Sequence, residues 1–165
     1  MVARGVHFAL TEIDEWRLLS CPEADRVQLV SHNIEERYFK GRREWRCETD
    51  KAWDAIHRAF GDSSLDYEYR SPLHGVILGG QPLYSGGDYI ISYKDKRRVA
   101  EIAPALAQVD RAGFSELYFG IDWEKYGHPL SPEDFEYSWE WLSALKEFYG
   151  HAAQAGRPVI FTTDQ

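Results

Sequence analysis

The spacing of apolar residues predicts helices along much of the chain. The clearest helix begins at Ser131, which is followed by a proline and two acids typical of a first turn, and it ends at Gly156. Its apolar face recurs every three or four residues, at Phe135, Trp139, Leu142, Leu145, Tyr149 and Ala153. Similar patterns and end signals predict further helices over residues 12–20, 22–38, 50–60 and 95–109.

Short apolar stretches between the helices predict strands. The candidates are residues 5–10, 75–78, 88–92 and 158–163, with 64–70 as an edge strand or extended loop and 114–121 as a strand or turn-rich stretch. Helices dominate, and strands and helices do not alternate regularly. We therefore predict the α+β class, as one compact, helix-rich domain over residues 1–165 with a few short strands.

The overall composition excludes several classes of protein. Hydrophobic residues make up 44% of the 165 residues, enough for one core, and no apolar run is long enough to span a membrane. The N-terminus lacks signal-peptide features, so the cytoplasm is the expected location. A net charge of −8 disfavours binding to nucleic acid or anionic membranes, although residues 37–46 form a short basic and aromatic stretch.

Common catalytic and cofactor motifs are absent from the sequence. It contains no H-E-x-x-H or C-x-x-C zinc signature, no phosphate-binding P-loop and no dinucleotide fingerprint. Residues 113–117 begin like a nucleophile elbow, but Leu117 replaces the required glycine. The glycine pairs at 79–80 and 86–87 are better explained by turns or close packing. No cofactor is predicted, and no metal ligands are assigned.

The predicted helix at 50–60 contains a histidine that invites two interpretations. Asp50 or Thr49 would cap this helix, and Asp54 and Arg58 would form an ordinary helix pair worth only tenths of a kcal/mol. His57 lies at the seam between the apolar and polar faces. The structural interpretation makes it a core residue whose ring nitrogens bind the backbone or Asp54.

The functional alternative places a pocket around His57. His7 and His74 occur in short apolar segments that are expected to join the core. Three converging histidines, with Asp50 or Asp54 as an orienting carboxylate, could perform acid–base chemistry or hold a metal. The protein would then be a small-molecule- or metal-dependent enzyme, or a ligand-binding protein.

Acidic and aromatic residues are concentrated between positions 116 and 140. This stretch holds seven acidic residues and one basic residue, interleaved with tryptophans and tyrosines. One interpretation is a solvated helix start whose acids complement the helix dipole. The other is a binding surface, to which charge would steer a basic protein and at which aromatic side chains would anchor it. The predicted binding residues are Trp123, Glu133, Asp134, Glu136, Tyr137 and Glu140. The favoured function is therefore a binding protein without its own catalysis, for example an immunity-type or regulatory protein that neutralises a basic enzyme.

Four segments together resemble a known bacterial family. They are "GVHFALT", "DKAWDAIHRAF", "PLHGVILGG" and "WLSALKEFYGHAAQAGRPVI". The strongest cue is the pattern D-K-x-W-D-x-x-H at residues 50–57. Over nearly its whole length the chain resembles the YfbM-like proteins, a domain of unknown function. The resemblance implies a single small α+β domain and brings no activity, cofactor or catalytic residues with it.

Overall fold

An antiparallel sheet forms the centre of the protein in the computed structural model, which describes residues 3–165. Its strands are β1 (Gly5–Ala9), β2 (Arg46–Asp50), β3 (Gln81–Pro82), β4 (Tyr89–Lys94) and β5 (Val159–Asp164). They lie in the order β2-β1-β5-β4-β3, so the C-terminal strand is central. Phe161 on β5 pairs with His7 on one side and with Ser92 on the other. The two ends of the chain are therefore tied together in the middle of the sheet.

Helices cover both faces of this sheet. They are α1 (Glu12–Ser20), α2 (Glu23–Leu29), α3 (Glu35–Lys40), α4 (Ala52–Phe60), α5 (Lys96–Ala107), α6 (Arg111–Phe119), α7 (Trp123–Tyr126) and α8 (Pro132–Gln154). A π-helical turn at Val30–Ile34 joins α2 to α3, and short 3-10 helices lie at Arg43–Trp45 and Pro72–Val76. Within the described chain, no helix combines the length and apolar character needed to cross a membrane.

The sheet separates two hydrophobic cores. On one face, Leu18 from α1 and Tyr38 from α3 pack with Phe8 and Ile160. On the other face, helices α4, α5, α6 and α8 form a larger core that includes Phe161. Successive residues of a strand point to opposite faces, so neighbouring residues of β5 contribute to different cores. The predicted α+β class is confirmed, and the short strands are joined in one sheet.

Several predicted element positions are wrong. Residues 114–121 lie largely in α6, because Asp110 caps a helix there by accepting a hydrogen bond from the N–H of Gly113. Residues 75–78 continue from a 3-10 helix and are not a strand. Asp50 and Thr49, expected to cap the helix at 50–60, belong to the unpredicted strand β2, and Lys51 precedes α4 without a side-chain cap.

Helix α4 is buried on nearly all sides. It contacts β2, α6, α7, α8 and the 3-10 helix at Pro72–Val76. Its polar residues therefore also lie inside the protein, and Asp54 is only 5% exposed. Asp54 and Arg58 form the predicted helix pair over 2.5 Å, but both side chains are largely buried, so the pair is not an ordinary solvent-exposed one. Removing either partner would leave a buried charge unpaired, which is far more costly than at a surface.

Candidate functional site

An irregular segment, residues 74–80, runs through the interior of the protein. Its residues from His74 to Gly79 are buried, and it begins in the last turn of the 3-10 helix at Pro72–Val76 and joins no sheet before β3 begins. Backbone N–H and C=O groups of a buried loop lack regular partners, and each group left unsatisfied is costly. Side chains from other elements supply those partners here. This requirement explains many of the polar residues in the core.

His7 and Tyr149 bind the first of these carbonyl groups. The His7 Nε2 donates to the carbonyl of Val76 over 2.8 Å, and the Tyr149 hydroxyl donates to it over 2.7 Å. His7 is fully buried and packs among three aromatic rings. Burial lowers the pKa of His7 from 6.5 to about 3; the charge of Lys94 also lowers it, whereas the Val76 carbonyl opposes the shift. His7 is thus a neutral core residue that holds Val76 in place.

Lys94 and Ser92 on β4 bind the next two carbonyl groups. The Lys94 Nζ donates to the carbonyl of Ile77, and the Ser92 hydroxyl donates to that of Leu78 over 2.7 Å. Lys94 is fully buried, and this burial holds its pKa well below the ordinary value, with the charge of Arg98 acting in the same direction. The amine is thus much less basic than an exposed lysine while still able to donate a hydrogen bond.

The pH dependence of stability tests this account of Lys94. The unfolded chain binds a proton at this amine below pH 10.5, whereas the folded protein binds it only at lower pH. Stability is therefore lost as the pH falls below 10.5, by up to about 1.4 kcal/mol per pH unit. We expect Lys94→Met to remove this contribution, measured by urea unfolding between about pH 7.5 and 9.5. A difference between wild type and variant that is constant with pH would contradict the prediction.

His57 meets the same buried segment from α4. The N–H of Leu78 donates to its Nδ1 over 3.4 Å, and its ring stacks on that of His74 with 4.8 Å between centroids. Burial lowers the pKa of His57 to about 3, and the charges of His74 and Lys94 act in the same direction, whereas the charge and the backbone of Asp66 oppose the shift. The structure therefore brings His57 and His74 together. His7 instead hydrogen-bonds the carbonyl of Val76, which is two residues after His74.

The aspartates predicted to orient His57 have other partners. Asp54 binds Arg58, as described above. Asp50 accepts a hydrogen bond from the Tyr137 hydroxyl over 2.6 Å, and in the described chain no hydrogen bond joins either aspartate to His57. Of the two partners predicted for the His57 ring, the backbone is therefore confirmed and Asp54 is not.

A different carboxylate lies beside the two histidines. Asp66 Oδ1 is 3.6 Å from His74 Nε2, and the Asp66 side chain is 28% exposed. Asp66 was not among the predicted site residues, and it lies in a loop, which is one of the two alternatives predicted for residues 64–70. The spacing of eight residues between Asp66 and His74 matches no motif, so only the folded structure reveals their contact.

A surface cleft of about 590 Å³ lies beside α4. It is lined by Trp53 and Asp54 from α4, Tyr126 from α7, and Asp134 and Tyr137 from α8. The cleft therefore joins the helix at 50–60 to the acidic and aromatic stretch at 116–140. Nothing in the sequence predicted that these two regions meet.

Asp134 is a hydrogen-bonded carboxylate in this cleft, and Lys51 also lines the cleft. Its Oδ2 accepts hydrogen bonds from the hydroxyl groups of Tyr118 over 2.5 Å and Tyr126 over 2.9 Å. Burial and then the charge of Asp134 raise the pKa of Tyr126, so this hydroxyl remains a protonated donor. Among the residues that the structure describes, no lysine or arginine forms an ion pair with Asp134.

The remaining predicted binding residues do not line the cleft and lie on helices α7 and α8, which contribute to it. Glu133 and Glu140 are exposed on α8, and Trp123 is 61% exposed on α7. Glu136 is also exposed but is ion-paired with Arg111.

Comparison with known proteins places the chain in a family. A family model described as a domain of unknown function, DUF1877, matches residues 1–162. The chain belongs to this family. The crystal structure of YfbM from Escherichia coli, a protein of unknown function, has a similar fold at 17% sequence identity, with a TM-score of 0.68 over 97% of this chain and 99% of that chain. The resemblance to YfbM-like proteins is thereby confirmed, and no curated protein shows significant similarity.

Proposed function

We propose that this protein binds a basic protein partner through its acidic face, defined as α7, the first half of α8 and the cleft beside α4. The observation that carries the proposal is the Asp134 carboxylate, which lines the cleft and has no ion-paired cation in the described chain. Trp53, Tyr126 and Tyr137 line the same cleft. A lysine or arginine of the partner would meet a negative charge beside aromatic rings, which favours ion pairing and cation–π contact.

Residues outside the cleft support the same proposal. Glu133 and Glu140 point their charge to solvent, where it accelerates encounter with a basic surface. The exposed ring of Trp123 offers the kind of aromatic anchor that often dominates binding energy at interfaces. An immunity-type or regulatory protein that neutralises a basic enzyme would have this combination.

A double charge reversal, Glu133→Lys with Glu140→Lys, tests the proposal. Asp134 and Glu136 stay unchanged because their contacts also support the fold. We expect the wild type to capture a basic protein from native lysate at low salt, with capture weakening as salt screens the charges. With that partner purified, the double variant should bind at least about tenfold more weakly.

The matched control is Asp25→Lys with Glu36→Lys, which reverses two exposed acids on α2 and α3, across the sheet. This variant changes the net charge equally and should bind as the wild type does. Equal weakening by both double variants would show a general charge effect and overturn the proposal. Failure to capture any basic protein, or capture insensitive to salt, would also overturn it.

A further inference from the structure

The need to hydrogen-bond the buried segment does not explain why His57, His74 and Asp66 lie together. Both ring nitrogens of His74 and the Nε2 of His57 are buried and lack a hydrogen-bond partner within the described chain. The two histidines are each only 1% exposed. Buried polar atoms without partners cost about 1–3 kcal/mol each, so three of them in one place call for an explanation.

The chemistry of the three side chains suits a particular ligand. Each offers one ligand atom, and these atoms lie within 4.8 Å of one another. Two imidazoles and one carboxylate are typical ligands of zinc and related transition-metal ions. Magnesium and calcium prefer sites built from oxygen atoms alone.

We propose that His57, His74 and Asp66 bind a divalent transition-metal ion, with Zn²⁺ as the best match. Zinc bonds to nitrogen or oxygen are about 2.0–2.2 Å long, so two ligand atoms of one ion are at most about 4 Å apart. Binding therefore draws the side chains together by on the order of 1 Å. The contact of 3.6 Å between His74 Nε2 and Asp66 Oδ1 already has a suitable length.

The surroundings of the cluster are compatible with an ion. Asp66 is partly exposed, so the edge of the cluster reaches solvent. Gly61 lies beside His74, where a Cβ atom would be only 2.9 Å from Nε2, so any side chain at this position would crowd the nitrogen that faces Asp66. Water would occupy the fourth position of a tetrahedral zinc site.

Metal binding requires a specific tautomer of His57. Its Nδ1 accepts from the N–H of Leu78 over 3.4 Å, so in the metal-free ring the proton is on Nε2. Coordination through Nε2 releases that proton or moves it to Nδ1, and the latter breaks the contact with Leu78. The contact is at the long limit for a hydrogen bond, so its loss costs little beside the metal bonds.

Titration of untagged, metal-free protein with Co²⁺ and then Zn²⁺ tests the site. We expect one Co²⁺ to bind with the visible absorption of a four- or five-coordinate ion, and Zn²⁺ to displace it. The spectrum should lack thiolate charge-transfer absorption, because neither free cysteine, Cys21 or Cys47, belongs to the cluster.

Two variants with nearly the same surroundings locate the bound ion. Asp66→Asn removes a proposed ligand, whereas Asp62→Asn removes a neighbouring carboxylate that is not part of the cluster. Asp62 and Asp66 each accept from the N–H two residues ahead and each pair with Arg70, so the loop is perturbed similarly by both changes. Asp66→Asn should weaken binding at least about tenfold and Asp62→Asn should leave it unchanged.

The partial exposure of Asp66 keeps this comparison informative even if variants of the buried histidines fail to fold. His74→Gln, if folded by circular dichroism, should abolish binding. The proposal is overturned if native protein binds neither ion at micromolar concentration. It is also overturned if Asp66→Asn binds like the wild type, because the ion would then be held elsewhere, for example by surface histidines.

Discussion

Lowering the pH from 7 to 4.5 is expected to destabilise the protein, because His7 is buried as a neutral ring. Burial and the neighbouring charge of Lys94 lower the pKa of His7 to about 3, and only the Val76 carbonyl opposes them. In the unfolded chain the same ring titrates near 6.5. The unfolded state therefore binds a proton in this pH range that the folded state excludes.

The sign and size of the effect follow from this difference. The stability contributed by a neutral His7 is fully present above pH 6.5 and is lost as the pH falls towards 3. The loss is about 1.4 kcal/mol per pH unit, or roughly 3 kcal/mol between pH 6.5 and 4.5. Many domains are stable by only about 5–15 kcal/mol, so this is a large fraction. Urea unfolding at several pH values measures it.

A pair of variants assigns the slope to His7. His7→Gln retains a side-chain donor for Val76 and removes the titrating ring, so its stability should vary less steeply with pH, by about 1.4 kcal/mol per unit. His128→Gln alters an exposed histidine and should keep the wild-type slope. Because the readout is a slope, an overall loss of stability in His7→Gln does not obscure it. An unchanged slope in that variant would refute the assignment.

Much of the fold follows from local sequence signals. Helix α8 was predicted nearly to its ends because Ser131, Pro132 and Gly156 carry strong local preferences. Strand β2 was missed because it is only five residues long and mostly polar, and it is stabilised by pairing with β1, distant in sequence. Helix α6 was missed because its aromatic residues favour strands. The signal that would have identified it is Asp110, which caps the helix.

The candidate sites were predicted only in part, for a physical reason. The sequence indicates which histidines enter the core, and His57 and His74 do meet. It gives no sign that Asp66 joins them, because their contact depends on how an irregular loop closes over α4. Likewise, nothing local shows that the helix at 50–60 lies beside Asp134. Both arrangements are set by packing between distant segments.

Gly79→Ala is expected to destabilise the protein by about 3 kcal/mol or more, an overpacking effect. A Cβ atom at this position would lie 2.3 Å from the carbonyl oxygen of His74 and 2.8 Å from that of Glu68. Both are backbone atoms, so no side chain can rotate away to make room. The backbone of the buried segment would have to shift, and the N–H of Gly79 would lose its 3.0 Å hydrogen bond to His74.

Gly87→Ala provides the matched control, because a Cβ atom there meets nothing within 4 Å. We expect that variant to remain within about 0.5 kcal/mol of wild type in urea unfolding, as is usual for surface substitutions. Equal stability of the two variants would contradict the prediction, because the backbone of the buried segment would then be able to shift at little cost in free energy. If Gly79→Ala is strongly destabilised, amide exchange should also accelerate in β1 and β4. Those strands supply His7 and Lys94 to the carbonyl groups of Val76 and Ile77 in the same buried segment, so the strain would spread through these hydrogen bonds.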